Sequence, residues 1–206
     1  MVGQKDIAII DYGAGNLRSV VNAIIRLGSQ PNVTSRAADI ADAKAVILPG
    51  VGAAAACMSA LQAEGMDDAI RGFIAGDRPF LGICLGLQVL FSTTEENGGQ
   101  KCLGIFSGKV KKLPGKMKTP HMGWNQVKKT ADHPLFSGIP DNANFYFVHS
   151  YYADPEDKSL IAGRTGYGVT MSSVIARGNV VATQFHPEKS GELGLKVFAN
   201  FISLAK

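Results

Sequence analysis

The sequence predicts an α/β protein in which a mainly parallel central sheet carries helices on both faces. Over the first ninety residues, short apolar runs typical of buried strands alternate with stretches whose apolar residues repeat at helical spacing. After about Gly104 the pattern changes to short strands separated by turns. This second pattern predicts an antiparallel extension of the same sheet.

Four strands and four helices are predicted in the first half of the chain, and the last of these helices begins at Leu85. The strands are expected at Ile7–Ile10, Asn32–Ser35, Ala45–Leu48 and Phe80–Ile83. The helical faces are expected to comprise Leu17, Val20, Val21, Ile24 and Ile25, then the segment Ala53–Ala63, and then Met66, Ala69, Ile70 and Phe73. Gly28 is placed to end the first helix, because glycine readily adopts the left-handed conformation that closes helices.

The turn after the first strand is rich in glycine, since residues 11–16 have the sequence D-Y-G-A-G-N. A strand, a glycine-rich turn and a helix also begin dinucleotide-binding folds, but the spacing here is not G-x-G-x-x-G. We therefore favour a loop that faces a partner or a substrate over a cofactor site, and we expect no cofactor.

Six short strands and a final helix are predicted in the second half. The strands are expected at Lys109–Leu113, Trp124–Lys128, Asn144–His149, Ser159–Arg164, Ser172–Ala176 and Val180–Gln184. The helix is expected at Glu192–Leu204, with Ser190 as its N-terminal cap. Because no linker-like stretch and no internal repeat divides the sequence, residues 1–206 are predicted to form a single domain.

The composition limits the classes of function. Apolar residues make up 46% of 206 residues and the net charge is +4, as in ordinary globular proteins. We expect no signal peptide and no membrane span. The three cysteines are widely spaced and predict neither a disulfide framework nor a metal site, which favours a reducing cytoplasm. The lysines between residues 109 and 118 could attract phosphates. They lack interleaved aromatic residues, so we interpret them as a solvated strand and turn and expect no nucleic acid.

Residues 79–88 carry the strongest functional signal. An apolar run that predicts a strand leads into Cys84, and Leu85–Phe91 predicts the start of a helix. Gly82 and Gly86 flank the cysteine and permit a tight turn. This is the nucleophile-elbow pattern, with cysteine where hydrolases have serine. The N-terminus of the helix favours the thiolate, whereas a small buried cysteine without chemistry is the alternative.

A thiol nucleophile needs a base, and His186 is the best placed of the four histidines. It follows an apolar strand, and Glu188 two residues later can hold the imidazole ring and stabilise the imidazolium. His133 lies in a polar turn and is expected at the surface, whereas His121 and His149 remain site candidates. Without a candidate thiol, a surface His-Pro turn would be the favoured explanation of His186.

Several motifs together resemble those of the class I glutamine amidotransferases. The sequences G-I-C-L-G-L-Q at 82–88 and H-P-E at 186–188 are similar to the Cys and His-Glu motifs of that family. Within the family, D-Y-G-A-G-N-L at 11–17, P-G-V-G at 49–52, P-H-M-G-W-N at 120–125 and H-P-E-K-S at 186–190 look like the glutaminase subunits of imidazole glycerol phosphate synthases. The resemblance runs from the first strand to the last helix and implies a flavodoxin-like fold.

The resemblance implies hydrolysis of glutamine to glutamate and ammonia through a thioester on Cys84, with His186 as base and Glu188 orienting it. The residue chemistry supports the same roles independently. The tetrahedral oxyanion needs two backbone donors. We expect one from the N–H of Leu85 and the other from the loop Gly50-Val51-Gly52.

By resemblance, Gln88, Glu96 and the segment His149-Ser150-Tyr151 hold the glutamine substrate. The polar sequence around Glu96 leaves a solvated glutamate as the alternative. The glycines of the P-G-V-G loop give its peptides two accessible orientations, and only one aims an N–H at the oxyanion. We therefore expect the isolated chain to have almost no glutaminase activity until a partner favours the competent orientation of the loop.

The family pairs such a subunit with a barrel-shaped cyclase in a heterodimer, and the cyclase receives ammonia through an internal channel. It converts a phosphorylated ribulosyl nucleotide into imidazole glycerol phosphate, for histidine synthesis, and an aminoimidazole carboxamide ribotide. We expect Asn16, Trp124 and Lys189 to contact this partner, since tryptophan is enriched at interface hot spots. A core position is the alternative for Trp124.

Three other hypotheses stay open at this point. The chain could be a glutaminase that serves another synthase, although the 120–125 block argues against it. It could be a cysteine peptidase or γ-glutamyl hydrolase of the same fold, which ammonia release from free glutamine would exclude. It could also be a non-catalytic binding module, which a glutamine-analogue label that left Cys84 untouched would favour.

Overall fold

In the computed structural model, which describes residues 6–13 and 17–205, thirteen strands form one sheet with helices against it. The elements of the first half are β1 (Ile7–Ile10), α1 (Leu17–Arg26), β2 (Asn32–Thr34), α2 (Ala37–Asp42), β3 (Ala45–Gly50), α3 (Ala54–Ala63), α4 (Met66–Ala75), β4 (Phe80–Cys84) and α5 (Leu85–Gln88). The later elements are β5 (Phe91–Thr94), β6 (Gln100–Lys101), β7 (Phe106–Lys112), β8 (His121–Lys129), β9 (Ala143–His149), β10 (Tyr151–Pro155), β11 (Ile161–Gly166), β12 (Thr170–Arg177), β13 (Val180–Thr183) and α6 (Gly191–Leu204).

Five neighbouring strands run parallel in the order β2-β1-β3-β4-β13. This is the strand order of flavodoxin-like sheets. Beyond β13 the sheet continues through β12, β10 and β7 with antiparallel pairing, and β11, β8 and β9 branch from it in the same manner. The predicted α/β fold, with a mainly parallel centre and an antiparallel extension, is confirmed.

The two faces of the parallel strands bury alternate residues. In β1, Ala8 and Ile10 pack in the cluster that includes residues of α3 and α4, whereas Ile7 and Ile9 pack with residues of α1 and α6. Because both faces are covered, these strands appear in the sequence as continuous apolar runs. That pattern is why their positions could be predicted from the sequence.

The carboxyl ends of β1, β3, β4 and β13 lie at one edge, because these strands are parallel. The register places Gly50 beside Cys84 and Ile83 beside Thr183. Segments that are more than a hundred residues apart in the chain therefore meet around the end of β4.

The helix predicted to start at Leu85 is shorter than the prediction of Leu85–Phe91. It ends at Gln88 after one turn, and Phe91 begins β5 instead. The carbonyl oxygens of residues 89–91 accept hydrogen bonds from the N–H groups of residues 103–106, which replace the bonds of a continuing helix. The sequence patterns also do not predict α2, β5, β6 or β10, which are short or polar.

Two further details of the sequence prediction are corrected. Ile25 was expected on the buried face of α1 but is 52% exposed, because the helix buries Val20, Ala23 and Ile24. Ser190 precedes α6 but its side chain makes no capping hydrogen bond. Its hydroxyl donates to the His186 carbonyl at 2.7 Å and accepts from the Tyr146 N–H at 3.0 Å, so it joins β9 to the segment after β13.

The lysine-rich stretch begins on β7, where buried and exposed residues alternate. Lys111 Nζ pairs with the Asp154 carboxylate at 2.6 Å. These contacts support the interpretation of a solvated strand. Within residues 6–13 and 17–205, no helix has the length and apolar character needed to cross a membrane.

Candidate active site

Cys84 lies at a sharp turn between β4 and α5, with φ of 54° and ψ of −103°. A non-glycine residue with positive φ is strained and persists only where its surroundings fix it. A Cβ atom at Gly86 would overlap the Leu48 carbonyl oxygen, and one at Gly82 would lie 2.7 Å from the Gly86 carbonyl oxygen. The two glycines therefore allow the close backbone approach that holds the elbow.

The helix after the elbow is a single turn. Its dipole is correspondingly small, so its contribution to the thiolate is weaker than the predicted longer helix would give. Leu85 is the first residue of α5, where the N–H has no intrahelical acceptor. This N–H is thus available as the first expected oxyanion donor.

His186 and Glu188 form a buried pair. The His186 Nδ1 atom lies 2.8 Å from Glu188 Oε1, and their side chains are only 1% and 3% exposed. Among the described residues, neither His186 Nε2 nor Glu188 Oε2 has a hydrogen-bond partner. With Nδ1 bound to the carboxylate, Nε2 is the ring nitrogen that can exchange a proton with a thiol or a leaving group.

The segment after β13 is fixed by backbone and side-chain bonds. The His186 N–H donates to the Tyr146 carbonyl of β9 at 2.9 Å, and Ser190 joins the same two residues from the other side. These bonds set the position of the imidazole relative to the elbow.

The charge state of His186 depends on its two acidic neighbours. Burial disfavours the imidazolium, but hydrogen bonding and charge from Cys84 and Glu188 outweigh it and raise the pKa of His186 to about 10. The Cys84 sulfur therefore lies close enough to the imidazole to stabilise its charged form. A histidine with this pKa can hold the proton that a leaving amine needs.

A cavity of about 280 Å³ is located at the elbow. Its lining includes Cys84 and eight further residues that were predicted to bind the substrate or the oxyanion: Val51, Gly52, Leu85, Gln88, Glu96, His149, Ser150 and Tyr151. The structure thus brings these predicted residues together in one place. Gly50 is not in the lining but pairs with Cys84 in the sheet.

Two polar side chains of the cavity form hydrogen bonds to backbone groups. Glu96 Oε2 accepts the N–H of Ala54, the first residue of α3, at 2.6 Å, so Glu96 is not a freely solvated glutamate. Gln88 Nε2 donates to the Tyr151 carbonyl at 2.8 Å. Both side chains are therefore held in place before any substrate binds.

His149 belongs to a chain of hydrogen bonds that leads away from the cavity. Its Nδ1 lies 2.9 Å from the Tyr151 carbonyl and its Nε2 lies 2.9 Å from His121 Nδ1, while His121 Nε2 lies 3.2 Å from Asn125 Nδ2. The carbonyl can only accept, so each histidine donates through Nδ1 and accepts through Nε2. Burial lowers the pKa of His149 to about 3 and also lowers that of His121, so both rings are neutral at neutral pH.

The expected oxyanion loop follows β3. Gly52 is exposed and has φ of 95°, and a Cβ atom at this position would meet open space. The Tyr12 hydroxyl donates to the Val51 carbonyl at 3.4 Å, and a Cβ atom at Gly50 would lie 2.7 Å from that hydroxyl. The loop is therefore tied at one carbonyl and unhindered at its tip.

The residues expected at a partner interface lie on the surface beside the His186 segment. Trp124 is 59% exposed, which excludes the core alternative, and its ring lies 6.1 Å from that of Tyr146. Lys189 Nζ lies 5.9 Å from the centre of the same tyrosine ring. Met122, two residues before Trp124 on β8, is 63% exposed. Asn16 lies outside the described residues.

Sequence reasoning missed two residues of the site. Pro120 lines the cavity, and Gln184 Nε2 lies 3.7 Å from Cys84 Sγ. Gln184 is two residues before His186, and alternate residues of an extended segment face the same side. That spacing was the signal that could have identified it.

The remaining cysteines are not part of the site. Cys57 and Cys102 are buried and unpaired in disulfides, and burial raises the pKa of Cys57 to about 12 and that of Cys102 to about 11. Within the described part of the chain, no group of three or more His, Cys, Asp or Glu side chains is arranged to hold a metal ion.

Comparison with known proteins agrees with this geometry. The glutamine amidotransferase class-I family matches residues 8–204. The imidazole glycerol phosphate synthase subunit HisH of Dehalococcoides mccartyi (strain CBDB1) is 55% identical over 199 residues, which cover 97% of this chain and 97% of the relative. The subunit HisH of Moorella thermoacetica is 50% identical over 202 residues, which cover 98% of this chain and 96% of the relative.

Solved structures share the fold at lower sequence identity. A crystal structure of a glutamine amidotransferase has a TM-score of 0.77 at 18% identity and covers 97% of this chain and 98% of its own. The structure of PurLQS from Thermotoga maritima has a TM-score of 0.76 at 19% identity, with coverage of 97% and 98%.

Proposed function

The chain belongs to the class I glutamine amidotransferase family, and from this premise we propose that Cys84, His186 and Glu188 hydrolyse glutamine to glutamate and ammonia for a cyclase partner. The observation that carries the site assignment is the strained Cys84 elbow beside the buried His186–Glu188 pair, in which His186 Nε2 has no hydrogen-bond partner among the described residues. Relatives named imidazole glycerol phosphate synthase subunit HisH support the cyclase as the partner.

The reaction begins with transfer of the thiol proton from Cys84 to His186 Nε2, while Glu188 stabilises the imidazolium. The thiolate attacks the side-chain amide carbon of glutamine, and the carbonyl electrons move to oxygen. His186 returns its proton to the leaving nitrogen, so ammonia departs and a thioester remains. Water, deprotonated by His186, then attacks the thioester and releases glutamate and the thiol.

The oxyanion is stabilised by two backbone N–H groups. The N–H of Leu85 is one donor, and the Gly50-Val51-Gly52 loop supplies the other after a peptide reorientation that its glycines permit. The bond from the Tyr12 hydroxyl to the Val51 carbonyl supports a loop that one contact holds in a resting orientation. Losing one such donor lowers the rate by about a hundred- to a thousandfold, which is enough to keep the isolated chain nearly silent.

The glutamine substrate occupies the cavity beside Cys84. Gln88, Glu96 and the segment His149-Ser150-Tyr151 hold its polar groups. The fixed carboxylate of Glu96 suits a cationic amino group, and the neutral imidazole of His149 adds no positive charge to compete with it.

The partner covers the exposed patch formed by Met122, Trp124, Tyr146 and Lys189. Exposed aromatic and apolar side chains in one patch are typical of a binding surface, and this patch adjoins the His186 segment. Asn16 is proposed as a further contact on the strength of the family resemblance. The cyclase combines the ammonia with a phosphorylated ribulosyl nucleotide and forms imidazole glycerol phosphate and an aminoimidazole carboxamide ribotide. The heterodimer acts in the cytoplasm, and residues 1–206 form its glutaminase domain.

Ammonia release with and without the cyclase subunit and its nucleotide ligand tests this proposal. We expect a rise of about a hundredfold or more in glutamine turnover on adding the liganded partner. Trp124→Ala and Lys189→Ala should weaken the rise without lowering the free energy of unfolding. Lys44→Ala is the matched control, because Lys44 pairs with Asp6 at the opposite end of the strands and exposed ion pairs contribute little. Full turnover by the isolated chain at saturating glutamine would contradict the switch.

A further inference from the structure

We propose that Gln184 is a positioning residue of the glutaminase reaction, whose side-chain amide joins the Cys84 sulfur to the Gln88 amide. The inference deepens the function proposed above and rests on it. Gln184 is fully buried, its Nε2 lies 3.7 Å from Cys84 Sγ, and its Oε1 lies 3.3 Å from Gln88 Nε2.

The surrounding acceptors determine which way this amide points. Gln88 Nε2 donates to the Tyr151 carbonyl, which has no proton to give, so the nitrogen of Gln88 must lie on that side. The same nitrogen faces Gln184, so the atom of Gln184 that meets it is the oxygen. The Gln184 nitrogen therefore faces the sulfur, and the two glutamines have a single consistent arrangement.

The backbone holds Gln184 at this position. Its N–H donates to the Ser173 carbonyl of β12 at 2.9 Å, directly after the ladder between β12 and β13. A residue fixed in this way cannot follow the sulfur if the elbow shifts, so the N–H group defines where the sulfur is held.

The hydrogen bond from Gln184 matters most when Cys84 loses its proton. In the resting thiol, Sγ donates to the Val148 carbonyl at 3.8 Å and accepts from Gln184. When the S–H bond breaks and the proton moves to His186 Nε2, the sulfur can no longer donate, and its contact with the Val148 carbonyl becomes repulsive. The N–H of Gln184 now meets a negative charge, and such charge-assisted bonds are stronger than neutral ones. Gln184 thus favours the thiolate and its direction of attack.

The same residue connects the nucleophile to substrate binding. Gln88 lines the cavity, and its nitrogen is shared between Tyr151 and Gln184. That leaves the Gln88 oxygen available to the cavity. Loss of the Gln184 side chain would therefore disturb both the thiolate and the orientation of the Gln88 amide.

Titratable groups also surround Cys84, and the test must separate them from Gln184. They are His186 after β13, with Glu188 behind it, His149 at the end of β9, Glu96 after β5 and Tyr12 after β1. Gln184 differs from all of them because its amide has no charge in any accessible pH range. Replacing it with the neutral side chain of methionine removes no titratable group from the surroundings of Cys84.

The test is the rate at which iodoacetamide alkylates Cys84 between pH 5 and pH 10 in the complex with the cyclase subunit, with the modified peptide identified by mass. Gln184→Met has a similar length but no donor, and Gln184→Glu has the same shape with an acceptor in place of the donor. The alkylation rate of each protein is divided by the rate that the same protein reaches at high pH. We expect this ratio at pH 7 to be about tenfold lower in Gln184→Met than in wild type, and the midpoint of the rate-against-pH curve to move to higher pH. The Gln184→Glu midpoint should move further, because a carboxylate repels the thiolate.

Ser173→Ala is the matched control. The Ser173 hydroxyl is buried and has no hydrogen-bond partner among the described residues, whereas the Ser173 carbonyl accepts the Gln184 N–H. The substitution therefore alters local packing but leaves the side-chain amide of Gln184 in place. We expect a wild-type alkylation profile for Ser173→Ala. In steady-state assays, Gln184→Met should lower kcat for glutamine and raise its KM, while ammonia-supported synthesis by the complex is unchanged.

An unchanged midpoint in Gln184→Met, or a Gln184→Glu midpoint no higher than that of Gln184→Met, would overturn the positioning role. Urea unfolding of each variant identifies any that fail to fold, and the isosteric Gln184→Glu then decides the outcome. The alkylation readout needs no glutamine. Failure of wild-type complex to hydrolyse glutamine would instead contradict the proposed function itself.

Discussion

The reactivity of Cys84 depends on neighbours that come from separate parts of the chain. Its strained backbone is held by the glycines of the elbow, and its base stands on the segment after β13. Positive φ at a non-glycine residue costs on the order of 1–3 kcal/mol. That strained turn places the sulfur at the cavity, where we propose that it acts as the nucleophile.

His186 and Glu188 should act as a unit. His186→Ala is expected to lower glutamine turnover nearly as much as Cys84→Ala, because a thiol without its base is largely protonated at neutral pH. Glu188→Gln should be milder, since it keeps a hydrogen-bond acceptor and loses the charge. Steady-state kinetics of both single variants and the double variant check this prediction. Effects that multiply independently in the double variant would argue against a triad.

The neutral pair His121–His149 should make the fold sensitive to acid. Burial lowers the pKa of His149 to about 3 in the native state. In the unfolded state the imidazole has its ordinary pKa of about 6.5, so between these two values the unfolded protein binds a proton that the native protein does not. The stabilisation is complete above pH 6.5 and is lost as the pH falls toward 3.

The pH dependence of the free energy of unfolding checks this sign. Wild-type protein should lose up to about 1.4 kcal/mol per pH unit through His149 between pH 6.5 and 3, and His149→Gln should lose correspondingly less. Parallel curves for the two proteins would show that His149 is not the group responsible.

At the scale of elements, the contact between α5 and β3 leaves no space for added volume. Gly86→Ala should lower the free energy of unfolding by about 3 kcal/mol, because the new methyl group would overlap the Leu48 carbonyl oxygen. Gly72→Ala is the matched control, since Gly72 lies inside α4 with open space around it. There the substitution should stabilise by about 0.5–1 kcal/mol. Urea unfolding measures both, and equal effects would contradict the close approach at the elbow.

The elements that could be predicted from sequence are those whose pattern follows from local burial. β1, β3, β4 and the amphipathic α1 show unbroken or periodic apolar residues. The single-turn length of α5 could not be predicted, because residues 103–106 compete for the carbonyl groups that a longer helix would use. Ser190 likewise has the residue type of a cap, but a distant strand binds its hydroxyl.

At the scale of the whole molecule, the parallel strands bring the residues of the candidate site to one edge of the sheet. Motifs after β3, β4 and β9 line one cavity, and the His186–Glu188 pair after β13 lies beside Cys84 in its wall, although together they span residues 51 to 188. The motifs themselves could be predicted, since each has a distinctive residue type at a strand end. The side that Gln184 faces follows from its spacing to His186, but the Gln184–Cys84 and His121–His149 contacts could not be predicted, because they depend on side-chain packing between different segments.

The measurement that tests the central claim most directly compares Cys84→Ala with wild type in the complex with the cyclase, supplied with glutamine or with ammonium. We predict that Cys84→Ala abolishes glutamine-dependent synthesis and leaves ammonium-dependent synthesis at the wild-type rate, because external ammonia bypasses the thiol. Cys57→Ala and Cys102→Ala, at two cysteines that do not themselves line the cavity, should retain both activities. Glutamine-dependent turnover that persists in Cys84→Ala would contradict the account, and so would the loss of both activities in a variant that still folds and binds the cyclase.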